Sequence, residues 1–204
     1  TLEETGLAEN TLVMFGSDNG PEVSTTYHMR SDHGHDGARP WRGVKRDGWE
    51  GGPRTPFIAH WPGKIPSGAV TDEPLSLCDV FRTCAQLAGG EVPQTAAEDS
   101  FDLSSVFLGE EQKEPIRPFL LQQTFGERNL SITRGKWKYM DYKGSGGNNY
   151  SKRKQITAWK IEDTAPNTPG QLYDLESDTG ETDNLVSKHP EIAAALKALL
   201  QQAV

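Results

Sequence analysis

The apolar run Leu12 to Phe15 stops abruptly and gives way to Ser17-Asp18-Asn19-Gly20-Pro21. Asp18 and Asn19 put carboxylate and amide oxygens side by side, and adjacent hard oxygen donors on a tight turn suit Ca²⁺ or Mg²⁺. Gly20-Pro21 lets the chain turn sharply away. Asp-Asn-Gly is also a common turn sequence, so the residues alone leave a plain turn and a metal site both open. Residues 28–54 read HMRSDHGHDGARPWRGVKRDGWEGGPR, with Arg30, Arg39, Arg42, Lys45, Arg46 and Arg54 set against Asp32, Asp36, Asp47 and Glu50. A locally basic loop in an acidic chain points to an anionic ligand; ion pairs on a solvated loop are the competing reading. Lys45 is a compact point charge suited to one oxyanion. His33 and His35 could serve acid–base steps or line a polar pocket, but two histidines are too few for a zinc site. Arg42, with Arg39 and Trp41, lies on the same loop and is a further candidate for contacting that ligand. Gly43, Gly48, Gly51 and Gly52 suit either close backbone packing or turn chemistry.

The elements that must position these residues read as follows. Residues 1–5, TLEET, are the tail of a helix stopped at Gly6, which suggests a piece of a longer protein. Leu12 to Phe15 suit a strand buried on both faces, as in a parallel sheet. Residues 16–55 form a long polar loop, and loops of this length are commonly functional. Phe57 to Trp61 form a second strand. An amphipathic helix over about Ser76 to Ala88 carries Leu77, Val80, Phe81, Cys84, Leu87 and Ala88 on its core face. Strand-like runs follow at Phe119–Gln123, Leu130–Thr133, Trp137–Tyr142 and Gln171–Leu175, with a tight hairpin at Arg134-Gly135. Residues 144–149, GSGGNN, read as a flexible loop. A helix over Pro190–Gln202 starts with proline and aligns Ile192, Leu196, Leu199 and Leu200. The fold class is α/β: residues 1–93 form part of an α/β sheet domain, and residues 94–204 a small antiparallel sheet covered by the terminal helix.

The bulk numbers exclude several classes. The 204 residues carry a net charge of -8, so the chain as a whole does not attract nucleic acid or anionic membrane. No apolar run approaches the roughly 20 residues of a membrane span. Five Trp, seven Phe and 13 Pro argue against simple disorder. Cys78 and Cys84, the only cysteines, point in different directions on one helix and read as two buried thiols rather than a disulfide.

Taken in order, SDNGP (17–21), RGVK (42–45), WEGGPRTPFIAHWPGKIPSG (49–68) and LCDVFRTCAQLAG (77–89) resemble the carboxyl-terminal half of a sulfatase of the arylsulfatase type. ITRGKWKY (132–139) and QLYDLESDTGETDNL (171–185) are similar to the family's small C-terminal subdomain. The resemblance implies an alkaline-phosphatase-like fold. It also implies Asp18 and Asn19 as ligands of a Ca²⁺ (Mg²⁺ in some members), Lys45 as a sulfate contact, and a formylglycine nucleophile that attacks the sulfate ester. The implied substrate is a sulfated small molecule or glycan, and the implied compartment lies outside the cytoplasm.

The sequence departs from the family at the nucleophile. Cys78 and Arg82, in CDVFR, have the family's Cys-to-Arg spacing, but Val80 stands where Pro or Ala belongs, and the segment reads as a structural helix. The first metal-binding aspartates also lack counterparts. The chain is therefore expected to carry about half an active site, to be inert alone, and to need the N-terminal part of the same protein as its partner. A phosphodiesterase or phosphonate hydrolase of the same superfamily is the alternative enzyme. A non-catalytic Ca²⁺- or carbohydrate-binding module is the alternative of another class.

Overall fold

A computed structural model describes residues 1–125 and 128–204. The chain divides into two compact units, Thr1–Ser17 with Pro56–Leu120, and Asp18–Thr55 with Leu121–Val204.

In the first unit, residues 1–6 make one helical turn, with Thr5 N–H bonded to Thr1 O, and Gly6 ends it at a φ of 71°. Strand β1 (Val13–Gly16) pairs antiparallel with β2 (Phe57–His60), Val13 opposite His60 and Gly16 opposite Phe57. This corrects the expectation of a strand buried on both faces in a parallel sheet. Val13, Phe15 and Ile58 are 42%, 62% and 61% exposed, because no described residues cover this two-stranded ribbon on both sides. Helix α2 (Asp79–Leu87) falls where the periodicity predicts a helix, but its buried residues are Asp79 and Thr83, while Leu77 and Phe81 stay exposed. The polar pair is buried with hydrogen-bond partners. Asp79 accepts from Ser76 N–H, Phe101 N–H and the Arg117 guanidinium, and Thr83 Oγ1 accepts from Leu103 N–H. Cys78 is exposed and Cys84 half-buried, both as free thiols, so the expectation of two buried thiols fails while that of no disulfide holds. A short helix α3 (Ser104–Phe107) buries Leu103 and Phe107, and the Phe107 ring packs on Phe57 at 5.9 Å.

In the second unit, the predicted loop over 16–55 contains an 11-residue helix, α1 (Val23–His33). It lacks an apolar stripe, burying only Val23 and Thr26, and is set by its ends. Glu22 caps its start, accepting from Val23 N–H at 2.9 Å. Gly34 closes it in the left-handed region (φ 64°), with bonds back to Arg30 O and from His35 N–H to Met29 O. The sheet runs in the order β3 (Leu120–Gln123), β4 (Leu130–Arg134), β5 (Trp137–Met140), β6 (Gln171–Asp174). The β4–β5 hairpin turns through Gly135 at a φ of 56°, as its sequence predicts. Helix α4 (Pro190–Gln202) packs on β4 and β5 through Ala193, Leu196 and Leu200.

Residues 18–55 pack into this second unit. Trp49 joins Met140, Tyr142 and Tyr173 in one apolar cluster, and Val23 and Val44 join Ile156 in another. The antiparallel sheet with its terminal helix agrees with the predicted α/β class.

Candidate functional site

Asp18 is exposed and Asn19 half-buried at the start of the second unit. Their turn is held by backbone contacts. Gly20 N–H donates to Gly52 O at 2.6 Å, and Lys45 N–H donates to Pro21 O at 3.0 Å. A Cβ on Gly20 would overlap the Gly51 carbonyl oxygen and come within 2.9 Å of Gly52 O. A Cβ on Gly51 would overlap Gly43 O and lie 2.7 Å from Arg42 O. Of the two readings of the loop glycines, close backbone packing is realised at Gly51 and Gly52, while Gly43 takes a left-handed φ of 92°; Gly20 packs against backbone in the same way. The consequence is that the Asp18-Asn19 turn and the Lys45 turn lie against each other.

The Lys45 turn has its own organiser. One Asp47 carboxylate oxygen accepts from Val44 N–H (3.0 Å) and Tyr150 O–H (2.5 Å), the other from Asn148 N–H and Nδ2. The Asn148 amide also donates to Lys45 O at 2.8 Å. Residues 144–149 are therefore pinned to this turn, which corrects the expectation of a flexible loop. The small residues at 144–147 permit the approach, since a Cβ on Gly147 would meet the backbone of Arg46. Burial and the neighbouring Asp47 carboxylate push the Tyr150 hydroxyl well above its ordinary pKa, so it remains a donor.

Arg42 sits over Trp49, with its guanidinium 3.6 Å from the ring centroid, and donates to Glu181 O (2.7 Å) and Ile161 O (2.9 Å). It borders a cavity of about 440 Å³, whose wall also includes Trp49, Asn148, Tyr150, Trp159 and Gln171. His33 and His35 are exposed and do not border this cavity. The structure thus brings Asp18, Asn19 and Lys45 together through one backbone framework. Arg42 anchors that framework from within, and the two histidines flank the end of α1 at the surface.

Sequence reading missed the buried charges beneath the framework. Lys138, in β5 and fully buried, reaches Glu50 Oε1 at 2.7 Å and Glu181 Oε1 at 3.4 Å. Glu50 Oε2 also pairs with Arg54 Nε at 2.8 Å. Burial favours the neutral form of Glu50, but Lys138 and Arg54 outweigh it and hold that carboxyl below its ordinary pKa. Burial wins at Glu181, whose pKa rises to about 7 with Glu50 adding to the rise and Lys138 opposing it. No sequence signal marks this triad: its members lie in three distant segments, and Glu181 sits in an acidic turn that reads as solvated.

Asp18 and Asn19 have the right chemistry for a hard cation but supply too few donors, since Ca²⁺ takes roughly six to eight oxygens. Among the described residues no group of three His, Cys, Asp or Glu could hold a metal. The chain fits part of a cation site, not a whole one. Among the same residues no helix is long and apolar enough to cross a membrane.

Residues 1–90 match the sulfatase family model. The chain is 31% identical to the N-acetylgalactosamine-6-O-sulfatase of Bacteroides thetaiotaomicron, over 98% of this chain and 38% of that protein. It is 34% identical to human arylsulfatase A, over 97% of this chain and 38% of that protein. Among solved structures, a sulfatase from work on glycosaminoglycan metabolism by Bacteroides thetaiotaomicron superposes with a TM-score of 0.81 at 30% identity, over 99% of this chain and 40% of that one. The PsFucS1 sulfatase from Pseudoalteromonas sp. gives 0.72 at 26% identity, over 99% of this chain and 38% of that one. The chain belongs to the sulfatase family, and its fold is part of the alkaline-phosphatase-like architecture. It spans about two fifths of the length of the relatives it matches.

Proposed function

We propose that this chain is the C-terminal portion of a sulfuric-ester hydrolase acting on a sulfated glycan or small-molecule sulfate, outside the cytoplasm. In this reading residues 1–93 complete the catalytic domain and residues 94–204 form its C-terminal subdomain. The observation that carries it is the paired contact of Gly20 N–H with Gly52 O and Lys45 N–H with Pro21 O, which sets two oxygen donors beside a lysine turn. Asp18 and Asn19 would be two ligands of a Ca²⁺ (or Mg²⁺), whose remaining ligands come from the N-terminal part of the protein. The bound metal would supply charge stabilisation for the transferring group. A formylglycine in the N-terminal part would supply the nucleophile. Lys45 would bind one sulfate oxygen and offset the negative charge that develops in the transition state. His33 and His35 would stand on the substrate side of the site, and Arg42, bonded to Glu181 O and Ile161 O, would border it while anchoring the Lys45 turn. A glycan substrate has the support of the 31%-identical N-acetylgalactosamine-6-O-sulfatase.

The test uses the full-length protein matured to carry formylglycine. Sulfate release from 6-O-sulfated N-acetylgalactosamine and from an aryl sulfate is measured beside cleavage of a phosphate diester. Sulfate release is expected, and Lys45→Ala should lower kcat about 10²–10³-fold. Ready phosphodiester cleavage without sulfate release would overturn the reading in favour of the phosphodiesterase branch.

A further inference from the structure

Glu181 holds both ends of the segment that bears Lys45. Its backbone carbonyl accepts from Arg42 Nη1 at 2.7 Å. Its side-chain Oε2 accepts from Glu50 N–H at 2.6 Å. Residues 42 and 50 bracket the Lys45 turn, and Gly51 N–H closes back onto Arg42 O at 2.7 Å. The next residue, Gly52, accepts the Gly20 N–H behind Asn19. Glu181 is itself held in an unusual conformation for a non-glycine residue, at a φ of 49°. The local structure fixes it there. Glu181 N–H bonds to Asp178 O, and the Asp178 carboxylate accepts from Thr182 N–H and Asp183 N–H. Lys138 then ties the carboxylates of Glu181 and Glu50 to the sheet. A carboxylate with no accessible surface, bonded to a backbone amide of the loop that carries a candidate site lysine, has more than packing to offer.

We propose that Glu181 is a positioning residue for the proposed sulfatase reaction: by clamping Arg42 and the Glu50 amide, it sets where Lys45 stands against the Asp18-Asn19 turn. Glu181 does not touch substrate in this scheme and acts through the 42–52 backbone. The proposal rests on the sulfatase reading for its chemistry but not for its structural part. The C-terminal sheet thereby becomes a template for the reaction rather than a lid or an appendage.

The experiment compares Glu181→Ala with wild type in the full-length protein, by two readouts. The substitution removes the carboxylate bond to Glu50 N–H and keeps the backbone carbonyl bond to Arg42, so amide hydrogen exchange should accelerate by roughly tenfold or more at Glu50 and its neighbours within residues 42–52, while the β4–β5 hairpin keeps its protection. On a sulfate ester, kcat should fall about 10²-fold with little change in KM, since misplacement by about 1 Å can cost that much. In a Lys45→Ala background the same substitution should cost little further, because both changes remove one function. Should Glu181→Ala fail to fold, Glu181→Asp carries the same expectations, because it keeps a charge for Lys138 but draws the carboxylate back from the Glu50 amide. Unchanged exchange at 42–52, or losses that multiply fully with Lys45→Ala, would overturn the proposal. A wild-type protein that releases no sulfate would instead overturn the functional reading, and the exchange measurement would still decide whether Glu181 sets the turn.

Discussion

Gly20→Ala is the sharpest perturbation of the framework. Gly20 has no need of a left-handed φ, so strain from backbone conformation is absent, and only space forbids a side chain. The added Cβ would overlap Gly51 O and lie 2.9 Å from both Gly51 C and Gly52 O. These are backbone atoms, locked by Gly51 N–H to Arg42 O and Gly52 N–H to Trp49 O, so no flexible side chain can swing away. Relief requires the two turns to part by about 1 Å, which also stretches the 2.6 Å Gly20–Gly52 hydrogen bond. Overpacking of this kind costs about 1–3 kcal/mol, and for a chain of this size that lowers Tm by roughly 2–12 °C. The effect on rate should be larger in proportion, about 10²-fold in kcat, because Asn19 and Lys45 are displaced relative to each other. The assay is sulfate release by the full-length enzyme, read beside a thermal melt. A Gly20→Ala enzyme with kcat within about threefold of wild type and an unmoved Tm would refute the close backbone approach and the coupling built on it.

Three further outcomes are expected. Asp79→Ala strands the Arg117 guanidinium, 7% exposed in the first unit, and should cost about 3–5 kcal/mol, whereas Lys188→Ala at the exposed Asp183 pair should cost no more than about 1 kcal/mol; thermal melts of both variants check the contrast. Glu181 carries a folded-state pKa of about 7 against an ordinary 4.5, so the native state holds a proton that the unfolded chain releases, and stability should fall as pH rises through that window. The ceiling is about 3 kcal/mol, and the depressed Glu50 carboxyl opposes it only at more acidic pH; denaturant titrations from pH 4.5 to 7.5 should show the decline in wild type and its loss in Glu181→Gln. Calorimetry should detect no tight Ca²⁺ binding by the isolated 204-residue chain, while Asn19→Ala in the full-length protein should raise the Ca²⁺ needed for activity by about tenfold or more.

Much of the fold was legible because it rests on local signals. Period-two runs with Gly135 at the turn mark the β4–β5 hairpin, and Pro190 with the Leu196/Leu200 spacing marks α4. Helix α1 escaped because it is held by Glu22 and Gly34 at its ends, not by an apolar face. The face of α2 differs from its periodicity because burial followed hydrogen bonding: Asp79 and Thr83, each with hydrogen-bond partners, lie inside while Phe81 stays out. At the candidate site, Asp18, Asn19 and Lys45 could be named from residue chemistry and resemblance. Their support could not, since Asp47 meets Asn148 and Glu50 meets Lys138 across long stretches of chain that no periodicity connects.

The β1–β2 ribbon has a practical consequence for anyone preparing this chain by itself. A two-stranded sheet is marginal in water, and this one displays Phe15 and Ile58, each more than 60% exposed. Unpaired strand edges beside such side chains are templates for pairing with other copies. Produced alone, the chain should therefore self-associate in a concentration-dependent way, and charged substitutions at Phe15 and Ile58 should be the first remedy for its yield.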